Sequence, residues 1–559
     1  MSAVATQSAP KIDLTAPGAP FEIIEADVRG HRMPVFAKAN YLLSGLFARM
    51  ATYGDRTFVV EEDRRTSYAQ GYGQAAAIAA LLRDQYGVKP GDRVAINMRN
   101  RLEWMTGFMA VSALGAIPAL INSRGAPEEM RYCVETVECH LVLSDLQRTR
   151  ALAESGYTGP VIDVDNPAFA EALDKYAGAS LPHHDGHVDD AAAILFTSGT
   201  TGKPKGAVLS HRAMLTGQMI SQHRGTEFAM ELAAKLGTDL QTMIANAPQG
   251  ASLLIFPMFH ISGVGAIFLS CIMRGDKIVI QRRWDADTAL ELVEREHVSA
   301  MSGPPSVIWD MVQVQKKNPR NLASLRSLGT GGQGLALNLL QAMQENFPIA
   351  VPGGGYGCTE TAGAISLAMG EGYVCRPECS GVVHSLAQIK TIDDQGNDLP
   401  AGEVGELCVR GPMVMTEYWG RPDDTAKAID TDGWLHTGDV GFVDAQGYIT
   451  IVDRKTDMVI SSGENIYCAE VERVLLSHPE IAEAAAFGVP DERLGERLMA
   501  AVVLHEGSSL GEDEIKAHVQ AHLATYKVPA AVDVRPESLP RNVTGKVDKR
   551  RLRAAHDSI

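Results

Sequence analysis

Several things are scarce in this chain, and each scarcity removes a class of protein. Cysteine is scarce, with eight in 559 residues, too few for a disulfide scaffold, so a reducing compartment, the cytoplasm, is expected. Positive charge is in deficit. Lys plus Arg number 51 against 68 Asp plus Glu, a net charge of −17 that opposes binding to nucleic acid. The first twenty residues, MSAVATQSAPKIDLTAPGAP, carry no apolar core of the kind a signal peptide needs, and 1–20 reads as a loose tail. Long apolar runs are also missing, apart from Leu253 to Met273, which holds no Asp, Glu, Lys or Arg. Pro257, His260, Gly263 and Gly265 interrupt that stretch, so it is expected to be a buried loop and helix and not an integral membrane span. With 45% hydrophobic and 21% charged residues, the chain has the composition of a globular protein with a large core.

What is present first is a repeated α/β texture. RVAINM at 93–98 reads as a strand, 104–113 as a helix and AIPALIN at 116–122 as the next strand; strands follow at 141–144, 192–196, 252–256 and 277–281. This order predicts parallel-rich sheets with crossover helices. Glycine clusters at 198–206, 329–334 and 352–357 are expected to be loops after strands, where such sheets bind ligands. From about Gly402 the pattern turns to short β segments with tight turns. After Asp453 comes a small unit with helices near 469–477 and 511–523 and strands near 483–488 and 499–504. The expected fold is therefore α/β. A large domain over 21–452, with a β-rich subdomain, is followed by a hinge at 453–457 and a small, mobile α+β domain over 458–559.

The densest chemistry lies in TSGTTGKPKG at 197–206, directly after an apolar strand. Glycines let backbone N–H groups approach an anion, and hydroxyls and lysines add donors and charge. Lys203 is followed by Pro204, so this is not a Walker A loop, and the 352–357 glycines do not have dinucleotide-fingerprint spacing. Cys358, Cys375, Cys379 and His384 have no second close pair, so unligated thiols are expected in place of a zinc site.

TSGTTGKPKG resembles the phosphate loop of the adenylate-forming superfamily, which comprises acyl-CoA synthetases, adenylation domains and beetle luciferases. The family's further motifs follow in order: YGCTE at 356–360, GWLHTGD at 433–439, DRKTD at 453–457, SGENI at 462–466 and PRNVTGK at 540–546. The resemblance implies that ATP and a carboxylic acid form an acyl-adenylate, which CoA then takes as a thioester, releasing AMP and pyrophosphate. It implies that Thr197, Ser198, Gly199, Thr200, Thr201, Gly202 and Lys205 hold the β- and γ-phosphates, with Lys203 more peripheral. Glu360 would be the Mg²⁺ ligand, a hard oxygen donor for a hard cation. Tyr356, with Gly357 and Thr359 around it, would stack on adenine. Asp439 would accept both ribose hydroxyls, as a carboxylate can, and Arg454 would contact the ribose and phosphate side. Lys546 would bridge the substrate carboxylate and the α-phosphate; it, Glu360 and Thr200 form the expected catalytic set.

In this family the small domain swings between two half-reactions, which here would withdraw Lys546 and bring Ser462, Gly463, Glu464 and Asn465 toward the CoA thiol. The hinge position, commonly Lys or Asp, falls on Thr456, with Asp457 next to it. PMFHISGVG at 257–265 resembles the segment of the acyl pocket and its gate, with His260 at the carboxylate or thiol tunnel. Amino-acid-activating relatives supply an aspartate there, and this segment has none. Ile261, Val264, Gly265, Gly331, Gly332, Gln333 and Gly355 therefore suggest an uncharged fatty or other apolar acid. Gly263 and Gly265 are expected to leave room for a long chain. Gly332-Gln-Gly-Leu335 departs from the commoner Gly-Ala-Pro-Leu. The expected partners are the acid and CoA, with a homodimer possible and no carrier domain after Ile559. The rival readings are an enzyme that loads a carrier protein, a luciferase-like oxidation, and an inactive acyl or nucleotide sensor.

Overall fold

Strands Ile117–Leu120, Leu141–Ser144 and Ala251–Leu254 are buried at every position, so both faces are covered and their side chains run apolar without alternation. The computed structural model describes residues 13–39, 41–197, 203–331, 337–455, 457–461, 464–491, 493–541 and 546–556, without the side chains of 460, 464 and 465. Among these residues there are two large sheets. One has seven strands, with Ile117–Leu120, Arg93–Asn97, Leu141–Ser144 and Val161–Asp163 parallel. The other has nine strands, with a parallel centre running from Val351–Cys358 to Thr57–Glu61. Helix Leu102–Ala113 is buried throughout. Its Trp104 and Phe108 share one core with Ile96 and Leu120 of the first sheet and Val59 and Ile278 of the second.

A four-stranded antiparallel sheet follows, Gln388–Ile392, Gly405–Arg410, Leu435–Val443 and Ile449–Arg454. The small unit beyond it has five strands. Helices Cys468–Leu476 and Glu512–His522 cover one face, and Lys549–His556 brings Leu552 to Phe487 and Met499 on the other.

Three expectations change. PGGGYG at 352–357 is no loop but most of strand Val351–Cys358, paired antiparallel with Gly363–Met369. Its glycines are needed because the partner strand folds back tightly. A Cβ on Gly355 would stand 2.4 Å from Ser366 O, and one on Gly357 2.0 Å from Gly363 O. In GTGGQG, Gly329 and Thr330 end strand Ser327–Thr330, and 332–334 lie outside the described residues. Of the stretch 1–20, residues 13–20 pack on the fold: Leu14 is buried and its carbonyl accepts from Phe21 N.

Leu253 to Met273 is a strand end, a loop and three consecutive short helical turns, Ile261–Gly263, the π-helical Val264–Leu269 and Ser270–Arg274. Among the described residues no helix is long and apolar enough to cross a membrane.

Candidate active site

Strand Ala191–Thr197 is parallel to Ile117–Leu120 but antiparallel to the following Lys205–Ser210, with Thr197 opposite Lys205. The Thr/Gly-rich segment is therefore the connection of a hairpin that ends at the carboxyl edge of the parallel sheet. Ser198, Gly199, Thr200, Thr201 and Gly202 lie outside the described residues. The two lysines beside them are each held. Lys205 Nζ is 2.8 Å from Asp424 Oδ1 and 5.1 Å from the centre of the Tyr418 ring. Lys203 lies 5.2 Å over Tyr132, whose hydroxyl accepts from Arg421.

Tyr418 also donates to Glu360 Oε1 at 2.8 Å. Glu360 stands in the single turn Thr359–Thr361, which follows directly from the glycine strand, and its carbonyl accepts from Met415 N. Thus Tyr418 and Asp424 join the lysine side of the site to its carboxylate side, and neither was singled out from the sequence. The aromatic pair Tyr418-Trp419 before Gly-Arg-Pro was the available signal. Among the described residues no three His, Cys, Asp or Glu side chains could enclose a metal. One half-buried carboxylate, held through Oε1 by Tyr418, fits Mg²⁺, which takes few protein ligands and completes its shell with phosphates and water.

On the other wall, strands Leu435–Val443 and Ile449–Arg454 place Asp439 opposite Arg454. Arg454 Nε lies 3.1 Å from Asp439 Oδ1, and the buried Tyr356 hydroxyl donates to Oδ2 at 2.8 Å. Burial next to Asp439 pushes the Tyr356 phenol well above its usual range, so it stays a donor. Asp453, next to Arg454, is buried; burial pushes its carboxyl up to about 6, and it accepts from Arg454 N and Ala469 N. Thr456 lies outside the described residues, and Asp457 Oδ1 is 3.6 Å from Arg553.

Lys546 reaches this wall from the small domain. Burial holds its ammonium below the ordinary lysine value, Arg454 adds to the effect, and Asp439 and Cys358 oppose it. The same ammonium acts on His260, whose imidazole is pushed down to about 4, mainly by burial. Lys546 is therefore within electrostatic reach of Arg454, Asp439 and His260. His260 Nδ1 accepts from Ser262 N at 3.3 Å, so its proton is on Nε2 and it is a neutral donor at pH 7. It can hold an oxygen but supplies no positive charge.

The PMFH segment is pinned by Asn100, which donates to Phe256 O and accepts from Met258 N. Ile261 and Val264 are buried. The glycines here do not leave room for a chain: a Cβ on Gly263 would stand 2.2 Å from Pro257 O, and one on Gly265 2.7 Å from Gln218 Nε2. Gly331 ends the preceding strand's loop, and its N–H donates to Gly303 O. Gly332, Gln333, Ser462 and Gly463 lie outside the described residues, while Glu464 and Asn465 form a short strand against Ser461 and Ile460. Cys358, Cys379 and His384 go to separate partners, Thr361, Thr450 and His223.

The chain matches the family model described as AMP-binding enzyme over residues 46–419, and that of the AMP-binding enzyme C-terminal domain over 470–546. It is 32% identical to 4-coumarate–CoA ligase 3 of Oryza sativa subsp. japonica over 532 residues, 91% of each chain. It is 33% identical to a (7a-methyl-1,5-dioxo-octahydro-1H-inden-4-yl)propanoyl:CoA ligase of Mycobacterium tuberculosis, over 89% of this chain and 96% of that one. Among solved structures, the o-succinylbenzoate CoA synthetase of Bacillus subtilis with its acyl-adenylate intermediate superposes with a TM-score of 0.75 at 29% identity, over 91% of this chain and 97% of that one.

Proposed function

The chain belongs to the AMP-binding enzyme family and is an AMP-forming acid–CoA ligase; from that premise we propose which residues carry the reaction and which acids enter it. The observation that carries the proposal is the Asp439 carboxylate held by Arg454 and Tyr356, with Lys546 within electrostatic reach of it.

Attack of a carboxylate on the α-phosphate brings two anions together, so the cost to be met is electrostatic. Lys546 would bridge both. Its desolvation strengthens that interaction, because little water competes for the ammonium. His260 donates Nε2–H to the acid's second oxygen and leaves the net charge of the pocket to Lys546. Asp439, oriented by Arg454 and Tyr356, accepts the ribose hydroxyls. Thr197, Lys205 and the hairpin connection take the distal phosphates. Glu360 would hold Mg²⁺, which would supply positive charge to neutralise the phosphates. Residues 21–452 and 458–559 act as two bodies about 453–457, with the Glu464–Asn465 strand facing CoA after Lys546 withdraws.

For the acid, a ring-bearing and uncharged body is favoured over a straight fatty chain. The spaces at Gly263 and Gly265 are filled, and the relatives are named for 4-coumarate and for a dioxo-octahydroindenyl propanoate. The test is AMP and pyrophosphate release over fatty, cinnamic, benzoic and alicyclic propanoic acids, each with and without CoA. CoA-dependent AMP release with a ring acid is expected. Turnover with long fatty acids alone would overturn the acid class. Acid-dependent pyrophosphate exchange that CoA never converts to product would move the acceptor elsewhere.

A further inference from the structure

Three neighbouring parallel strands end in loops that each carry an arginine. Arg93–Asn97 lies between Ile117–Leu120 and Leu141–Ser144, with Ile96 opposite both Leu120 and Leu143. Arg99, Arg124 and Arg148 follow the carboxyl ends of these strands, the edge where such sheets take ligands. Asp145 ties two of the loops together: its Oδ2 accepts from Arg99 N at 3.0 Å, and its Oδ1 lies 3.3 Å from Arg148 Nη1. Arg148 Nε donates to Ser123 O at 2.8 Å, which ties in the third loop beside Arg124. Arg283, just past strand Lys277–Ile280 of the other large sheet, is within electrostatic reach of Arg99. The neighbouring Arg101 and Arg282 have carboxylates of their own, Glu103 and Asp165 for the one and Glu61 for the other. Among the described residues the guanidiniums of Arg99 and Arg283 make no hydrogen bond or ion pair. Burial lowers the Arg99 pKa, Arg148 and Arg283 lower it further, and Asp145 opposes them; Arg124 is lowered by burial and by Arg99 and Arg148. Guanidiniums do not shed their protons to escape one another. In a chain of net charge −17, a cluster of this sign calls for an anion.

The triphosphate of ATP has its proposed place at the hairpin after Ala191–Thr197, two strands from Arg93–Asn97 in the same sheet, about 10 Å at the spacing of paired strands. The arginines are therefore placed for a second anion. Asn100, next to Arg99, holds the PMFH segment through Phe256 O and Met258 N, so the cluster borders the wall that carries His260. A substrate that spans from these arginines to the activated acid has phosphate at one end and a reactive group at the other, which is the make-up of CoA. We propose that Arg99, with Arg124 and Arg283, binds the 3′-phosphate of CoA, while Arg148 and Asp145 position the loops that present them. This rests on the ligase reading. The 3′-phosphate is the one monoester of CoA; it carries close to two charges at neutral pH and matches the planar fork of a guanidinium.

The test uses the full chain and compares CoA with 3′-dephospho-CoA, which differs in that phosphate alone. The readout is the ratio of their kcat/KM values from acid-dependent AMP release, in which general damage to the enzyme cancels. The wild type is expected to favour CoA by about 10-fold or more, the range for hydrogen bonds to a charged group. Arg99→Gln combined with Arg283→Gln brings the ratio to within about 3-fold of unity. Arg99→Lys, which keeps the charge and loses the fork, falls between. If the double variant does not fold, as judged by its thermal melt, the ratio for Arg283→Gln alone, at an exposed side chain, decides. Adenosine 3′,5′-bisphosphate is expected to compete with CoA. Competition with ATP instead, or equal inhibition by inorganic phosphate at the same concentration, overturns the inference. A wild type indifferent to the 3′-phosphate, or a preference that survives the substitutions, also overturns it while leaving the ligase reading intact. Absence of AMP release with every acid and CoA overturns both.

Discussion

Arg454 Nε lies 3.1 Å from Oδ1 of Asp439, each residue facing the other across adjacent antiparallel strands. The carboxylate is thereby held by a cation on one oxygen and by the Tyr356 phenol on the other, with lone pairs left to accept a diol. Asp439→Asn keeps the shape and removes the charge. It is expected to raise the KM for ATP by about 10–100-fold, the range for losing hydrogen bonds to a charged group, with a smaller effect on kcat. Pyrophosphate exchange measured against ATP concentration checks this, and an unchanged KM would contradict the role of Asp439.

In the proposed reaction Lys546 acts as the ammonium, and burial with Arg454 nearby lowers its pKa from the ordinary lysine value. The charged form predominates below that pKa, so adenylation should be fullest on the acid side of it. It should decline as pH rises, earlier than about 10.4, where a free lysine titrates. Lys546→Gln is expected to slow adenylation by about 10²–10³-fold while sparing thioester formation from a pre-made acyl-adenylate. A pH profile of pyrophosphate exchange and a separate thioester assay test the two halves.

Tyr418→Phe removes the hydroxyl that holds Glu360 Oε1 and leaves the ring under Lys205. The carboxylate should then wander, and the Mg²⁺ concentration for half-maximal activity should rise about 3–10-fold, in keeping with loss of one hydrogen bond. Titration of Mg²⁺ at fixed ATP reads this directly. A curve identical to the wild type's would mean Glu360 is positioned by its turn alone.

His211 Nδ1 accepts from Leu43 N, and burial pushes its pKa down to about 4. The unfolded imidazole titrates near 6.5, so below that pH the unfolded chain binds a proton that the folded chain refuses. The stabilisation is complete above pH 6.5 and is lost as pH falls toward 4, about 3 kcal/mol for this one residue. His384, pushed down to about 3 by burial with His223 beside it, acts in the same direction. Urea midpoints should fall between pH 7 and 5. His211→Asn, which retains an acceptor for Leu43, should flatten the decline.

Gly357→Ala would bring a methyl to 2.0 Å from Gly363 O, a clash with backbone that no rotamer relieves. A loss of about 3 kcal/mol is expected, at the upper end for overpacking. Thermal melts would show it, and an unshifted midpoint would mean the hairpin Val351–Cys358/Gly363–Met369 can open without cost.

The parallel strands and crossover helices were legible because four or five consecutive apolar residues between turn signals leave few alternatives. Leu141–Ser144 was bounded to the residue. The family was legible through the order of its motifs along the chain. What was not legible depends on who stands opposite. Nothing in PGGGYG says that another backbone stands where a Cβ on Gly355 or Gly357 would go, so a loop was read where close approach within a strand was the cause. The emptiness at Gly265 was mistaken for substrate space because Gln218 comes from a different helix. Asp424 carries no signature of its own and Tyr418 only the aromatic pair with Trp419; both acquire a role only from Lys205 and Glu360.

The polar groups of this site are each other's placeholders. Lys205 has Asp424, Glu360 has Tyr418, and Asp439 has Arg454 and Tyr356. A nucleotide that settles here does not meet bare charges stripped of water; it exchanges one set of contacts for another of similar strength. In the proposed reaction a triphosphate drawn to Lys205 would have to displace Asp424, and that pair would re-form as the phosphates leave. The arrangement favours turnover over tight retention, which suits an enzyme that must discharge AMP, pyrophosphate and a thioester in every cycle.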